Sequence, residues 1–190
     1  MPTAAERSRQ YVALLRGINV GGKNVIKMAD LRSCLEVAGL EDVTTYIQSG
    51  NVLFQSDGRD EAKLTSQIEG ALSKTFSYDS RVVLRSYDQL KDIVKRAPKG
   101  FGDDPAAYRY DVLFLRESLS ASKAIKDVKT REGVDQAFVG SNALYFSRLI
   151  SRATQSYLSR LVALPIYQEM TIRNWNTTIK LLALMEARQP

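Results

Sequence analysis

The sequence predicts an α+β fold: a ferredoxin-like βαββαβ sandwich over residues 8–88, then a second, related α+β half with C-terminal helices over residues 89–190. Three observations predict it. In the first half, β-rich runs and helically spaced apolar residues alternate in the order strand, helix, strand, strand, helix, strand. Two short turn segments, Ser49-Gly50-Asn51 and Gly140-Ser141-Asn142, each separate a pair of β-rich runs, as hairpins do. Between the halves lies a stretch rich in Pro, Gly and Asp at 98–105, which reads as a loop or linker.

The elements follow in order. Residues 11–15 are an apolar first strand. Met28, Leu31, Leu35 and Ala38 mark one face of a helix that Gly39 ends. Residues 44–48 and 52–55 form the first hairpin, and Leu64, Ile68, Leu72 and Phe76 a second helix begun near Asp60. Residues 81–85 are the fourth strand, and Tyr87, Leu90, Val94 and Ala97 a connecting helix. Residues 110–115 then read as a strand, 119–126 as a short helix, and 134–139 with 143–146 as the second hairpin. Helices are expected over 154–164 and 171–188, the latter capped by Thr171 with Ile172, Trp175, Ile179 and Leu182 as its apolar stripe. Val12 to Leu15 and Val52 to Phe54 are apolar at both parities, so the central strands of the first sheet should be covered on both faces. That counts against an open RNA-binding sheet in the first half.

Composition narrows the functional classes. Of 190 residues, 44% are hydrophobic and 25% charged, the ordinary range for a folded globular chain. No run of 18 apolar residues suggests a membrane span, and the first ten residues lack the apolar core of a secretory signal, so a cytoplasmic location is expected. There is no histidine, which removes Ser-His-Asp and Cys-His catalysis and His-containing zinc sites. The one cysteine, Cys34, sits between Leu31 and Leu35 and reads as a buried thiol. Any chemistry would fall to carboxylates, lysine, tyrosine or a borrowed cofactor. No catalytic residue, metal ligand or cofactor is assigned.

The most informative segment is 16–24. A strand runs into Arg16-Gly-Ile-Asn19-Val-Gly21-Gly22-Lys23-Asn24, where glycines free the backbone and Arg16 and Lys23 supply positive charge. Arg16, Asn19, Gly21, Gly22, Lys23 and Asn24 form a candidate binding set for a small phosphorylated or carboxylate ligand. The spacing also fits G-x-x-x-x-G-K, but Asn24 stands where a nucleotide-hydrolysing loop has a magnesium-binding hydroxyl. The segment therefore reads as an anion pocket without hydrolysis, or as a long connection ordered by asparagine and glycine turns. A second set, Arg173, Asn174, Asn176 and Thr177, is expected on the first turns of the last helix, where an anion is favoured. On the expected topology, the 49–51 turn lies at the far end of the sheet from the 16–24 loop, roughly 15–20 Å away.

The stretches LLRGINVGGKN, KMADL, YIQSGNVLF and TIRNWNTTIKLL resemble, in order and along nearly the whole chain, a family of small bacterial proteins catalogued as domain of unknown function 1697. The resemblance implies tandem ferredoxin-related α+β halves, with no activity, substrate or cofactor attached. Its motif positions here are residues 16–24, 48–51 and 173–177. Where relatives carry a glycine loop and a Ser-Lys pair before the last motif, this chain reads SRLISRATQSYLSR.

Charge adds one further reading. Residues 1–95 hold 13 basic and 12 acidic side chains, residues 96–190 hold 14 and 9. The tail carries Arg148, Arg152, Arg160, Arg173, Lys180 and Arg188 against Glu169 and Glu186. Three functional classes follow: an anion- or nucleotide-binding protein built on the 16–24 loop, a nucleic-acid-binding protein using the basic second half, and a histidine-free enzyme acting on a phosphorylated substrate.

Overall fold

The computed structural model describes residues 8–19, 21–58 and 60–189. The chain divides into two compact units, Met1–Gln89 with Ala183–Pro190, and Leu90–Leu182.

The first unit runs β1 (Arg9–Leu15), α1 (Met28–Val37), β2 (Glu41–Tyr46), β3 (Asn51–Ser56), α2 (Glu61–Phe76) and β4 (Val82–Ser86); α3 (Tyr87–Lys95) follows, and the second unit begins within it at Leu90. Its sheet is antiparallel in the order β2-β3-β1-β4, the ferredoxin-like arrangement. Alternate residues of the central strands, Tyr11, Ala13 and Leu15 with Val52 and Phe54, meet Leu31 and Leu35 of α1 and Leu64, Ile68 and Leu72 of α2 in one core. Val12, Leu14, Leu53 and Val83, of the opposite parity, are buried too. Both faces are thus covered, as the unbroken apolar run of β1 implies. Asp60 starts α2: its carboxylate accepts the Lys63 backbone N–H, and Ser77 ends the helix at φ +55. Arg188, from the 183–190 segment, belongs to this unit as well. Its guanidinium donates to the Thr44 hydroxyl (2.6 Å) and the Asp42 carbonyl (2.8 Å), and stands 3.1 Å from the Asp42 carboxylate.

The second unit runs β5 (Tyr108–Leu115), α4 (Ala121–Asp127), β6 (Asp135–Val139), β7 (Ala143–Leu149), α5 (Leu158–Leu161), β8 (Met170–Asn174) and α6 (Trp175–Glu186) as far as Leu182, with 3-10 turns at Ile150–Gln155 and Pro165–Glu169. The sheet order β6-β7-β5-β8 repeats that of the first unit. Leu113, Leu115, Leu144, Phe146 and Met170 build its core with Ala124, Leu158 and Leu161. A buried arginine also recurs at matching register. Arg85 pairs opposite Val12 and Arg173 opposite Val112, and each donates to the carbonyl of the residue before it, Leu84 (2.6 Å) and Ile172 (2.9 Å). The relation between the halves therefore lies in strand order and register, where side-chain identity does not show it.

The tail departs from its expected form. The helix expected over 171–188 is a strand up to Asn174 and a helix from Trp175. Thr171 and Ile172 pair with Phe114 and Leu113 of β5, a partner strand that outweighs the local helical spacing. Thr171 consequently caps nothing. The buried side of α6 is Trp175, Thr178, Leu181, Leu182 and Met185, while Ile179 is 42% exposed. The helix expected over 154–164 contracts to α5 and flanking turns.

Candidate functional site

The loop from β1 to α1 owes its shape to left-handed residues. Gly17 (φ +72), Asn19 (+52), Gly21 (+59), Gly22 (+75) and Asn24 (+47) all adopt it, which glycine does freely and asparagine tolerates best among the rest. A side chain at Gly17, Gly21 or Gly22 would meet nothing within 4 Å, so these glycines serve backbone conformation and not close packing.

Asn19 is the node of this loop. Its amide nitrogen donates to the carbonyls of Ile26 (3.0 Å) and Gln48 (2.9 Å), and its amide oxygen accepts the Ile26 N–H (2.8 Å). Asn24 donates from its side chain to the Gly17 carbonyl (2.9 Å), and the Asn19 N–H to the Asn24 carbonyl (3.1 Å). Both asparagines thus hold the loop closed, and Ile18, 1% exposed, anchors it in the core of the first unit.

The bond from Asn19 to Gln48 corrects the expected separation of the loop and the 49–51 turn. They stand at one end of the sheet. The crossover through α1 returns β2 parallel to β1, so the β2–β3 turn comes where β1 ends. Leu14 pairs with Asn51, and the Leu15 N–H donates to the Gly50 carbonyl (2.8 Å). Gly50, at φ +76, is irreplaceable on two counts, since a Cβ there would lie 2.8 Å from Leu15 Cβ and Ile18 Cδ1. Asn51 is fully buried and donates to the Tyr46 carbonyl (3.0 Å) and the Ser49 hydroxyl (2.9 Å). Ile47 is β-branched yet sits at φ +50 and is 49% exposed, a strained residue held at the surface of this end.

Gly21, Gly22 and Lys23 form the exposed tip. Arg16 is half-buried, and its N–H donates to the carbonyl of Arg81 (2.9 Å), whose own guanidinium lies 3.4 Å from Asp79. Lys27 is exposed at the entry to α1. Among the described residues, Arg16, Lys23, Lys27 and Arg81 thus belong to the segments meeting at this end. Lys23 precedes a helix that begins only at Met28, and the sheet is antiparallel, so this is not the geometry of a nucleotide-hydrolysing P-loop.

The second expected set divides. Arg173 lies in β8, not on a helix start, and is 7% exposed. It donates to the Thr171 hydroxyl (2.8 Å) and the Ile172 carbonyl, and burial pulls its guanidinium down to about 10. Asn174 accepts the Asn176 N–H (2.9 Å) and so caps α6, while its amide donates to the Tyr110 carbonyl (3.3 Å). Thr177 is half-buried and Asn176 exposed. Beside Asn174 and Asn176, Trp175 and Tyr110 border a cavity of about 210 Å³. In the sequence, Arg109 between Tyr108 and Tyr110 reads as the entry to a strand, which β5 is; the Tyr-x-Tyr spacing is the signal for this aromatic wall. No group of three His, Cys, Asp or Glu suited to a metal occurs among the described residues, and no helix among them is long and apolar enough to cross a membrane.

No curated protein matches the sequence. Among solved structures the chain is similar to the conserved bacterial protein SP0830 from Streptococcus pneumoniae, at 29% identity and a TM-score of 0.83, over 94% of this chain and 99% of that one. The model of a family described as "Protein of unknown function (DUF1697)" matches residues 9–145, taking in the glycine loop and its hairpin and stopping short of β8. With most of its length so matched, the chain belongs to that family of unknown function.

Proposed function

We propose that the first unit binds a small anion, a phosphate or carboxylate group, at the tip of the 16–24 loop. One observation carries the reading: the loop's asparagines turn inward to lock a left-handed backbone, which leaves Gly21, Gly22 and Lys23 exposed on a fixed frame. A frame already ordered loses little conformational entropy on binding. Lys23 supplies the charge, Arg16 a second cation, and the amides of Gly21 to Asn24 the donors; Asn19 positions the loop without touching the ligand. No bond-making step is assigned to the site.

Calorimetric titration of the full chain with inorganic phosphate, and then with mononucleotides and sugar phosphates, tests this. Lys23→Ala should weaken binding at least fivefold and leave the melting temperature within about 2 °C, since removal of an exposed side chain costs little stability. Equal binding by the variant, or a large loss of stability, overturns the assignment.

A further inference from the structure

In the second unit, Tyr108 and Tyr110 enter β5 two residues apart and therefore share one face of the sheet. Pairing sets Tyr110 beside Ser147 of β7, and Ser147 beside Gln136 of β6; the next row on that face holds Tyr145 and Phe138. Both tyrosines of β5 are half-buried, and Phe138 is 39% exposed. Two cavities of about 210 Å³ each open against this tyrosine pair. Lys99, Phe101, Gln136 and Phe138 border one, and Arg109, Asn174, Trp175 and Asn176 the other. Each has one cation and no carboxylate among its described lining residues.

The platform is braced from within. Phe101 meets Tyr110 edge-on at 4.9 Å and Trp175 at 5.1 Å, and Tyr108 stands 6.2 Å from Tyr110. A cation, an amide with both donor and acceptor, and an aromatic surface suit a phosphate, a base edge and a base face respectively. Two such cavities sharing one tyrosine pair suit two consecutive bases better than one free nucleotide. Aromatic residues on the central strands of a four-stranded sheet are a general means of holding splayed bases.

We propose that the second unit binds single-stranded nucleic acid, with two successive bases against Tyr108 and Tyr110 and their phosphates at Lys99 and Arg109. No residue of the 16–24 loop is among the described residues lining either cavity, so Lys23→Ala should leave binding intact. Trp175, the only tryptophan, borders the second cavity and reports directly. Titration of the full chain with an oligonucleotide of about eight residues should change its emission saturably. The logarithm of affinity should fall with log salt at a slope of about −1.4, as expected for two phosphates neutralised on a single strand. Lys99→Ala and Arg109→Ala should each halve that slope. Tyr108→Leu keeps bulk but removes the aromatic face; it should weaken binding at least tenfold while the emission of the unliganded protein stays as in the wild type. No emission change with the oligonucleotide, undiminished binding by Tyr108→Leu, or a mononucleotide bound as tightly as the strand overturns the proposal.

Discussion

Replacing Asn19 with alanine removes three hydrogen bonds at one stroke: two donated to the carbonyls of Ile26 and Gln48, one accepted from Ile26. At about 0.5–1.5 kcal/mol net for each bond, the loss is about 1.5–4.5 kcal/mol. Alanine at φ +52 adds roughly 1 kcal/mol of backbone strain. These terms overlap once the loop relaxes, which places the expected destabilisation near 3 kcal/mol, a substantial part of the ~5–15 kcal/mol that holds a domain together. Asn19→Asp sharpens the test. It keeps the acceptor for Ile26 and the tolerance of a left-handed backbone, but sets an oxygen against two carbonyl oxygens, and should be at least as damaging as alanine. Urea unfolding followed by far-ultraviolet circular dichroism gives the free energies, and hydrogen exchange at the Ile26 amide gives the local effect. If Asn19→Ala lies within 0.5 kcal/mol of the wild type, or Asn19→Asp is clearly the more stable of the two, the loop is not held in the way described.

Further outcomes concern the indole and the buried tyrosines. Trp175, 9% exposed and packed on Phe101, should emit at short wavelength and resist iodide. Its truncation to alanine should cost about 3–5 kcal/mol. Gly102→Ala, at φ +98 with its new Cβ 2.7 Å from the indole Cδ1, should shift that emission without touching the ring chemically; red-shifted, easily quenched native emission would contradict both statements. The hydroxyls of Tyr78 and Tyr145 are pushed by burial from 10.0 up to about 12. Between those values the folded chain keeps protons that the unfolded chain has lost, so their stability contribution is full below pH 10 and lost as pH rises through about 12. Tyrosinate absorbance should show late-titrating groups, and Tyr145→Phe, which also removes a 2.6 Å bond to the Ile93 carbonyl, should flatten the fall in stability between pH 10 and 12. An unchanged slope would refute that origin.

The parts legible in the sequence were those decided by neighbours along the chain. Asp60 could be read as a helix start and the Leu64, Ile68, Leu72 stripe as a buried face because each is set within one or two turns. The strained shape of the 16–24 loop was legible too, since glycine and asparagine at these spacings have few other uses. Three things depended on distant partners. Thr171 and Ile172 became a strand because β5 offers an unpaired edge. The 49–51 turn fell beside the glycine loop because a helical crossover fixes strand direction, which no local pattern announces. The tyrosine platform needs β6, β7 and β8 in place before Tyr108 and Tyr110 acquire a wall.

The latch at Arg188 has a consequence for the timing of synthesis. All strands of the first unit have been made once Ser86 is added, yet the guanidinium that ties Asp42 and Thr44 belongs to a residue made long after them. At ribosomal rates, the ~100 residues between represent roughly 5–20 s during which the nascent first unit must persist with β2, an outer strand, untied. Its early survival therefore rests on the pairing of β2 with β3 and on the core that β1 and β3 share with α1 and α2, and a chain interrupted before Arg188 would release a nearly finished second unit while leaving the first one without this tie.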